Sequence, residues 1–271
     1  RENLNIPPFG YAIDYMTFGG MYREVYVQVR NKTHLADVFV KPQIHPLQVT
    51  TEITVQNISD GITLQQEIRK KGEGAYSPLG QKPVKQTNVQ TVFPVQEICL
   101  WEPENPHLYE IRTSLWKNGE MIDARVDITG FREAGFRKDG FYLNGKKLRL
   151  RGLNRHQSYP YVGYAAPASM QIFDADILKK ELGVNAVRTS HYPQSQDFIR
   201  RCDEIGLLVF TEFPGWQHIG DEIWKKQAVE NVKDLVEQYR NHPSVILWGV
   251  RINESGDDDA FYRETNRVAH E

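Results

Sequence analysis

The run NAVRTSHYPQSQDFIRRCDEIGLLVFTEF, residues 185–213, decides how this chain folds. It opens as a short strand, NAVRTSHY (185–192), and passes a proline. It continues as SQDFIRRCDEIG (195–206), an amphipathic helix that stops at a glycine. LLVFTEF (207–213) follows as a second strand, apolar at successive rather than alternate positions. A strand with no polar face must be covered on both sides, as helices cover a parallel sheet. The unit reads as β-α-β.

Working outward, LRLRGLN (148–154) is strand-like and DADILKKELG (174–183) is helical with a glycine at its C-cap position. Downstream come a long amphipathic helix, DEIWKKQAVENVKDLVEQYRN (221–241), a strand, VILWGVRIN (245–253), and the start of another helix. Four strands, each followed by a helix, fit either a doubly wound sheet or a barrel. No Gly-rich phosphate loop follows the first strand; a long polar loop, RGLNRHQSYP, stands there instead. The strands end in Asn154-Arg155-His156, Arg188-Thr189-Ser190-His191-Tyr192, Glu212 and Asn253-Glu254. Four polar strand ends fit the catalytic face of a (β/α)₈ barrel better, with half of the barrel present.

Residues 21–130 have a different rhythm. REVYVQV (23–29), ADVFVKPQI (36–44), TTEITVQN (50–57), LYEIRTSLW (108–116) and MIDARVDI (121–128) alternate apolar and polar residues. Asn118-Gly119 joins the last two as a hairpin turn, and Asn144-Gly145 marks another. This pattern predicts an antiparallel sandwich. KKGEGAYSPLGQKPVKQTN (70–88) reads as a polar loop between strands.

Composition bounds the function. Lys+Arg of 33 against Asp+Glu of 35 leaves −2, so nothing electrostatic argues for nucleic acid or an anionic membrane. An aromatic content of 11% suits carbohydrate stacking and β-sandwich cores equally. Cys99 and Cys202 are expected as buried free thiols, and no metal-ligand spacing is present. No stretch is long and apolar enough for a transmembrane helix. The start, RENLNIPPFG, carries no signal peptide and reads like the middle of a longer chain, so compartment does not follow from it.

Among the strand ends, Glu254 stands out. A lone loop glutamate is usually solvated or a helix cap, but this one follows Asn253 at the end of a very apolar strand. A carboxyl partly desolvated among aromatic side chains has the raised pKa of a general acid, and the amide beside it can hold a substrate hydroxyl. Arg188 and His191, three apart, should face opposite sides of a regular strand. Taken singly, each reads as a structural residue. Glu212 is the carboxylate within the sequence placed to pair with Glu254. Trp216 suits stacking on a sugar, or packing, and the aspartates at 257–259 suit a helix cap. A serine nucleophile is excluded by the lack of a G-x-S-x-G elbow.

NAVRTSHYPQSQDFIRRCDEIGLLVF (185–210) and RNHPSVILWGVRINES (240–255) resemble the two signatures of the family 2 glycoside hydrolases, the β-galactosidase and β-glucuronidase group. LWEPENPHLYEI (100–111), GFRE (130–133), RGLNRHQ (151–157) and DYMTFGGMYREVYV (14–27) extend the resemblance over essentially the whole chain. It implies a jelly-roll remnant at 1–30, an immunoglobulin-like antiparallel β-sandwich at 31–131, and the first half of a (β/α)₈ TIM barrel at 132–271. It implies a retaining exo-β-glycosidase, most like the β-galactosidases, acting on a terminal β-galactoside. Glu254 would be the acid/base and Asn253 would hold the sugar 2-hydroxyl. Arg188 would lie near the nucleophile, with His191, Asn154, Asp14 and Trp216 at the sugar. The family's nucleophile comes from a later barrel strand that this internal fragment lacks. The resemblance requires no cofactor, though a monovalent or divalent cation is compatible with it, as is a homo-oligomer. A glucuronide or mannoside specificity, and a non-catalytic carbohydrate-binding role, are the alternatives. Val250-Arg251-Ile252 departs from the family's shorter link before Asn-Glu.

Overall fold

The structure, a computed structural model, describes residues 6–10 and 13–271. Residues 1–5, 11 and 12 of the expected N-terminal segment lie outside the described residues. The chain divides into two compact units, one of Tyr26–Arg149 with Asn241–Pro243, the other of Arg1–Val25, Leu150–Arg240 and Ser244–Glu271.

The first unit is a sandwich. Its long strands are β1 (His34–Ile44), β2 (Leu47–Gln56), β3 (Ile62–Lys70), β4 (Ser77–Pro83) and β5 (Asn88–Pro94). The short pair β6 (Trp101–Glu102) and β7 (Asn105–Pro106) precedes β8 (Tyr109–Lys117) and β9 (Glu120–Thr129). One antiparallel sheet has the order β1-β2-β5, the other β4-β3-β8-β9. Alternate residues point inward, so Leu35, Val38, Val49, Ile53, Leu64, Ile111 and Leu115 form one fully buried core. The β8–β9 hairpin turns on Asn118 and Gly119 with φ of 52° and 82°, the pair of left-handed residues that a two-residue turn requires. A three-stranded meander, β10 (Ala134–Arg137), β11 (Gly140–Leu143) and β12 (Lys146–Leu148), ends the unit, with Asn144-Gly145 at its second turn.

Three sequence expectations change here. Residues 77–83 are a strand rather than loop: β4 is an edge strand, where prolines and polar residues are tolerated because one side of the ladder stays unpaired. Residues 23–29 form no strand despite their alternation, and Val25, Val27 and Val29 are exposed, because no described strand pairs with them. Cys99 is exposed; Cys202 is buried, and burial pushes its thiol well up.

The second unit carries a four-stranded parallel sheet in the order β13-β14-β15-β16. These strands are Gly152–Arg155, Ala186–Thr189, Leu208–Glu212 and Val245–Gly249. The expected strand 148–154 is therefore two short ones, since the chain breaks between Leu148 and Gly152. Helix α1 (Ala168–Asp176), prolonged by a π-helical turn to Glu181, joins β13 to β14. α2 (Gln196–Ile205) and α3 (Glu222–Tyr239) make the next two crossovers, and α4 (Asp259–His270) follows β16. Ser195, Asp221 and Asp258 cap the last three helices by accepting from the N–H groups of Asp197, Trp224 and Phe261. Gly206, at φ 69°, ends α2 in the left-handed region. Trp224, Ala228, Val232, Leu235 and Tyr239 recur every three or four residues along α3 and bury that stripe with Phe198, Ile199, Leu207 and Val209. This alternation of parallel strands and helices is the opening half of a TIM barrel.

The sandwich core is also tied by a polar knot. Gln66 donates to Thr51 Oγ1 at 3.1 Å and to Thr113 Oγ1 at 3.0 Å, and accepts from Thr91 Oγ1 at 2.6 Å. All four side chains are buried and paired, so the knot is sound only when complete. Gln66→Leu should cost about 1–3 kcal/mol for each hydroxyl it strands. A lower urea midpoint with an unchanged m-value is the expected observation.

Candidate active site

The register of the parallel sheet aligns the carboxyl ends of its strands. Asn154 pairs with Arg188, Arg188 with Phe210, and Phe210 with Leu247, so these four share one face. Glu212, two residues beyond Phe210, lies on that face opposite Gly249. The opposite face, toward the helices, receives Arg155. Its guanidinium binds Asp174 at 2.6 Å and Gln171 at 2.8 Å, and stacks 4.0 Å from the Phe198 ring.

Glu212 is the hub. Its side chain is 4% exposed, and both oxygens are engaged: Oε1 accepts from Arg188 Nε, Oε2 lies 2.8 Å from His191 Nδ1. A carboxylate only accepts, so Nδ1 carries the proton of this contact. Arg188 Nη2 then reaches Asn253 Oδ1 at 2.9 Å, and its guanidinium sits 5.4 Å from the Phe210 ring centroid. Gly249 leaves the room that Glu212 needs, because a Cβ there would lie 2.5 Å from Glu212 Cγ.

Arg188 and His191 were expected on opposite sides; both meet Glu212. The reason is local: β14 ends at Thr189, and the chain turns before His191, so strand alternation no longer governs it. Asn253 and Glu254 follow β16 by a short link, Val250 to Ile252. There the loop after β15 runs beside the loop after β16, with Trp216 bridged to Asn253 and Gln217 N–H donating to Asn253 O at 2.8 Å. Glu254 takes φ 56° and its Oε2 accepts from Gln217 Nε2 at 3.2 Å. Contrary to expectation, Glu254 is exposed rather than shielded by aromatic side chains. No described contact joins it to Glu212.

The remaining candidates divide. Asn154 lies beside Arg188 in the sheet with its side chain exposed. Trp216 is half-buried, and its indole N–H has no partner among the described residues. Asp14 is exposed next to Tyr15, whose ring centroid lies 4.8 Å from that of Tyr192 and 6.1 Å from that of His156. His156 and His191 meet edge to face at 5.9 Å. Partial burial of the His156 ring, then the neighbouring His191, hold His156 below its ordinary value, against the opposing pull of Asp14. Of the aspartates, Asp258 caps α4 while Asp257 pairs with Arg251 at 2.7 Å. Sequence reading passed over Gln217 and Tyr15. A glutamine in a loop has no pattern of its own, and Tyr15 reaches the strand ends only through the fold.

A sandwich ahead of parallel barrel strands, with carboxylates, an arginine, a histidine and an amide gathered at the strand ends, is the layout of a barrel enzyme. The family model "Glycosyl hydrolases family 2, TIM barrel domain" matches residues 135–266, and "Glycosyl hydrolases family 2" matches 33–132. The chain belongs to glycosyl hydrolase family 2. It is 48% identical over its full length to a beta-galactosidase of Thermoanaerobacter pseudethanolicus and 47% identical to one of Thermoanaerobacterium thermosulfurigenes. It spans 37% and 39% of the length of those relatives. Among solved structures, Bacteroides uniformis beta-glucuronidase 2 superposes with a TM-score of 0.83 at 26% identity, over 99% of this chain and 35% of that one.

The hub gives a test. Arg188→Ala leaves a buried carboxylate with one partner fewer and should destabilise the protein by about 3–5 kcal/mol. Adding Glu212→Gln to that variant removes the stranded charge and should recover part of the loss. Denaturant midpoints of the single and double variants are the measurement.

Proposed function

We propose that the protein carrying these residues is a retaining exo-β-glycosidase of terminal β-D-galactosides, with Glu254 as general acid/base. In this reading residues 1–30 close a jelly-roll sugar-binding domain, 31–131 are the immunoglobulin-like sandwich, and 132–271 open the catalytic barrel. Glu254 protonates the departing glycosidic oxygen and then takes a proton from the water that releases the sugar. Asn253, fixed by Arg188, holds the sugar 2-hydroxyl. His191, Asn154, Asp14 and Trp216 line the sugar.

The observation that carries the assignment is the division of labour between two glutamates. A retaining mechanism needs two carboxyl groups roughly 5 Å apart, one of them a free nucleophile. Glu212 is buried with both oxygens committed to Arg188 and His191. Glu254 is exposed, at a strand end, beside an amide. As the family resemblance implies, the nucleophile in this reading is a carboxylate of a further barrel strand, which agrees with a chain spanning 37% and 39% of its relatives. Identity of 48% and 47% to proteins named beta-galactosidase supports the galactoside. The structural likeness to beta-glucuronidases keeps a glucuronide as the second reading.

In the full-length protein, Glu254→Ala should slow a β-galactosyl disaccharide by a factor on the order of a thousand or more, since its leaving group must be protonated. An activated aryl β-galactoside should lose far less in the glycosylation step. Azide, which attacks the glycosyl-enzyme without a base, should restore turnover and give a glycosyl azide. Equal losses on both substrates with no azide effect contradict the assignment. Residues 1–271 by themselves should hydrolyse neither substrate. Activity of that chain would make Glu212 the nucleophile.

A further inference from the structure

The carboxyl of Glu254 is held from the neighbouring loop, by a residue to which no role has so far been given. Gln217 Nε2 donates to Glu254 Oε2 at 3.2 Å. The backbone brings the two together: Trp216 and Asn253 form a parallel bridge, and Gln217 N–H donates to Asn253 O at 2.8 Å. The residue that follows each bridge partner is thereby set beside the other. His218 N–H closes back on Trp216 O at 2.6 Å, placing Gln217 at the tip of a tight turn. Gln217 and Glu254 both sit in the left-handed region, at φ 57° and 56°. For a residue with a Cβ this costs on the order of 1–2 kcal/mol and persists where the surroundings impose it. Two such residues facing one another across adjoining loops, joined by a side-chain hydrogen bond, form one device.

We infer that Gln217 is a positioning residue for the acid/base carboxyl, an inference that rests on the glycosidase reading above. An amide NH₂ can only donate. The oxygen it faces, Oε2, is therefore the acceptor in both protonation states, and the transferable proton rides on Oε1. Gln217 fixes the rotation of the carboxyl and selects which oxygen meets the leaving group. It touches no reacting atom itself.

The test uses the full-length protein, with β-galactosides of graded leaving-group acidity and kcat/KM as the readout, since that ratio reports the glycosylation step. Two variants separate the amide from the turn. Gln217→Asn keeps a residue at home in left-handed backbone but withdraws the donor by one methylene. Gln217→Glu keeps the length and, when ionised, has no donor. Both should lower kcat/KM on the disaccharide and on poorly activated aryl substrates on the order of tenfold, the worth of one hydrogen bond to a charged group. Both should leave a dinitrophenyl galactoside nearly unchanged, so that the dependence on leaving group steepens. Loss of packing alone would lower all substrates together. A uniform loss, or none, overturns the inference. Glu254→Ala, measured alongside, separates the two levels. If it steepens the leaving-group dependence and the Gln217 variants do not, the inference alone falls. If Glu254→Ala does not steepen it, the glycosidase reading falls and takes the inference with it. Should Gln217→Asn fold poorly, Gln217→Glu, of the same shape, decides the matter.

Discussion

A carboxylate with almost no contact with water must be clasped on every side, and Glu212 sets that demand at the centre of the strand ends. An unpaired buried charge would cost several kcal/mol, so the chain satisfies it from two directions, Arg188 on the neighbouring strand and His191 in the turn beyond. Each partner thereby loses its freedom, and the constraint propagates. Arg188 spends a second nitrogen on Asn253, fixing the amide that directly precedes Glu254. Gly249 on the facing strand must lack a side chain for Glu212 to occupy its place. An ion pair of this kind contributes less to net stability than to geometry, because desolvation offsets most of its attraction. Its effect is to hold an arginine, a histidine and an amide in one arrangement.

The two faces of the parallel sheet divide the work. Toward the helices, the apolar stripes of α2 and α3 supply the burial, and Arg155 is a charged exception, balanced by Asp174 and Gln171. The other face carries Asn154, Arg188 and Glu212 beside Phe210 and Leu247, and its polar groups lie where chemistry can be placed without cost to the helix-side core. Glu254 lies past the end of this ordered set, on a left-handed residue steadied by a neighbouring loop. Such placement suits a group that must be positioned firmly yet remain accessible to both a leaving group and a water molecule.

Most of the architecture was legible in the sequence, because its signals were local. Gly206 stops α2, Ser195 and Asp221 start helices, and Asn118-Gly119 turns a hairpin, each by a backbone requirement that few residues meet. What escaped was context. The stretch 77–83 looks like loop because an edge strand accepts loop-like residues, while 23–29 looks like strand but has no described partner to pair with. The convergence of Arg188 and His191 was hidden because strand alternation was carried past Thr189, where the strand ends. Glu254 could be marked by its place after an apolar strand, but its exposure and its contact with Gln217 depend on two loops meeting in space.

We propose Glu212 as a structural anchor and Glu254 as an acid/base whose nucleophilic partner is a third carboxylate. A 2-deoxy-2-fluoro-β-galactosyl fluoride traps the glycosyl-enzyme, since the 2-fluorine slows both its formation and its hydrolysis while the fluoride leaving group keeps formation the faster step. Peptide mass spectrometry of the trapped full-length protein locates the sugar. A label is expected on a carboxylate outside residues 1–271, with Glu212 and Glu254 both unmodified; a label on Glu212 contradicts these roles.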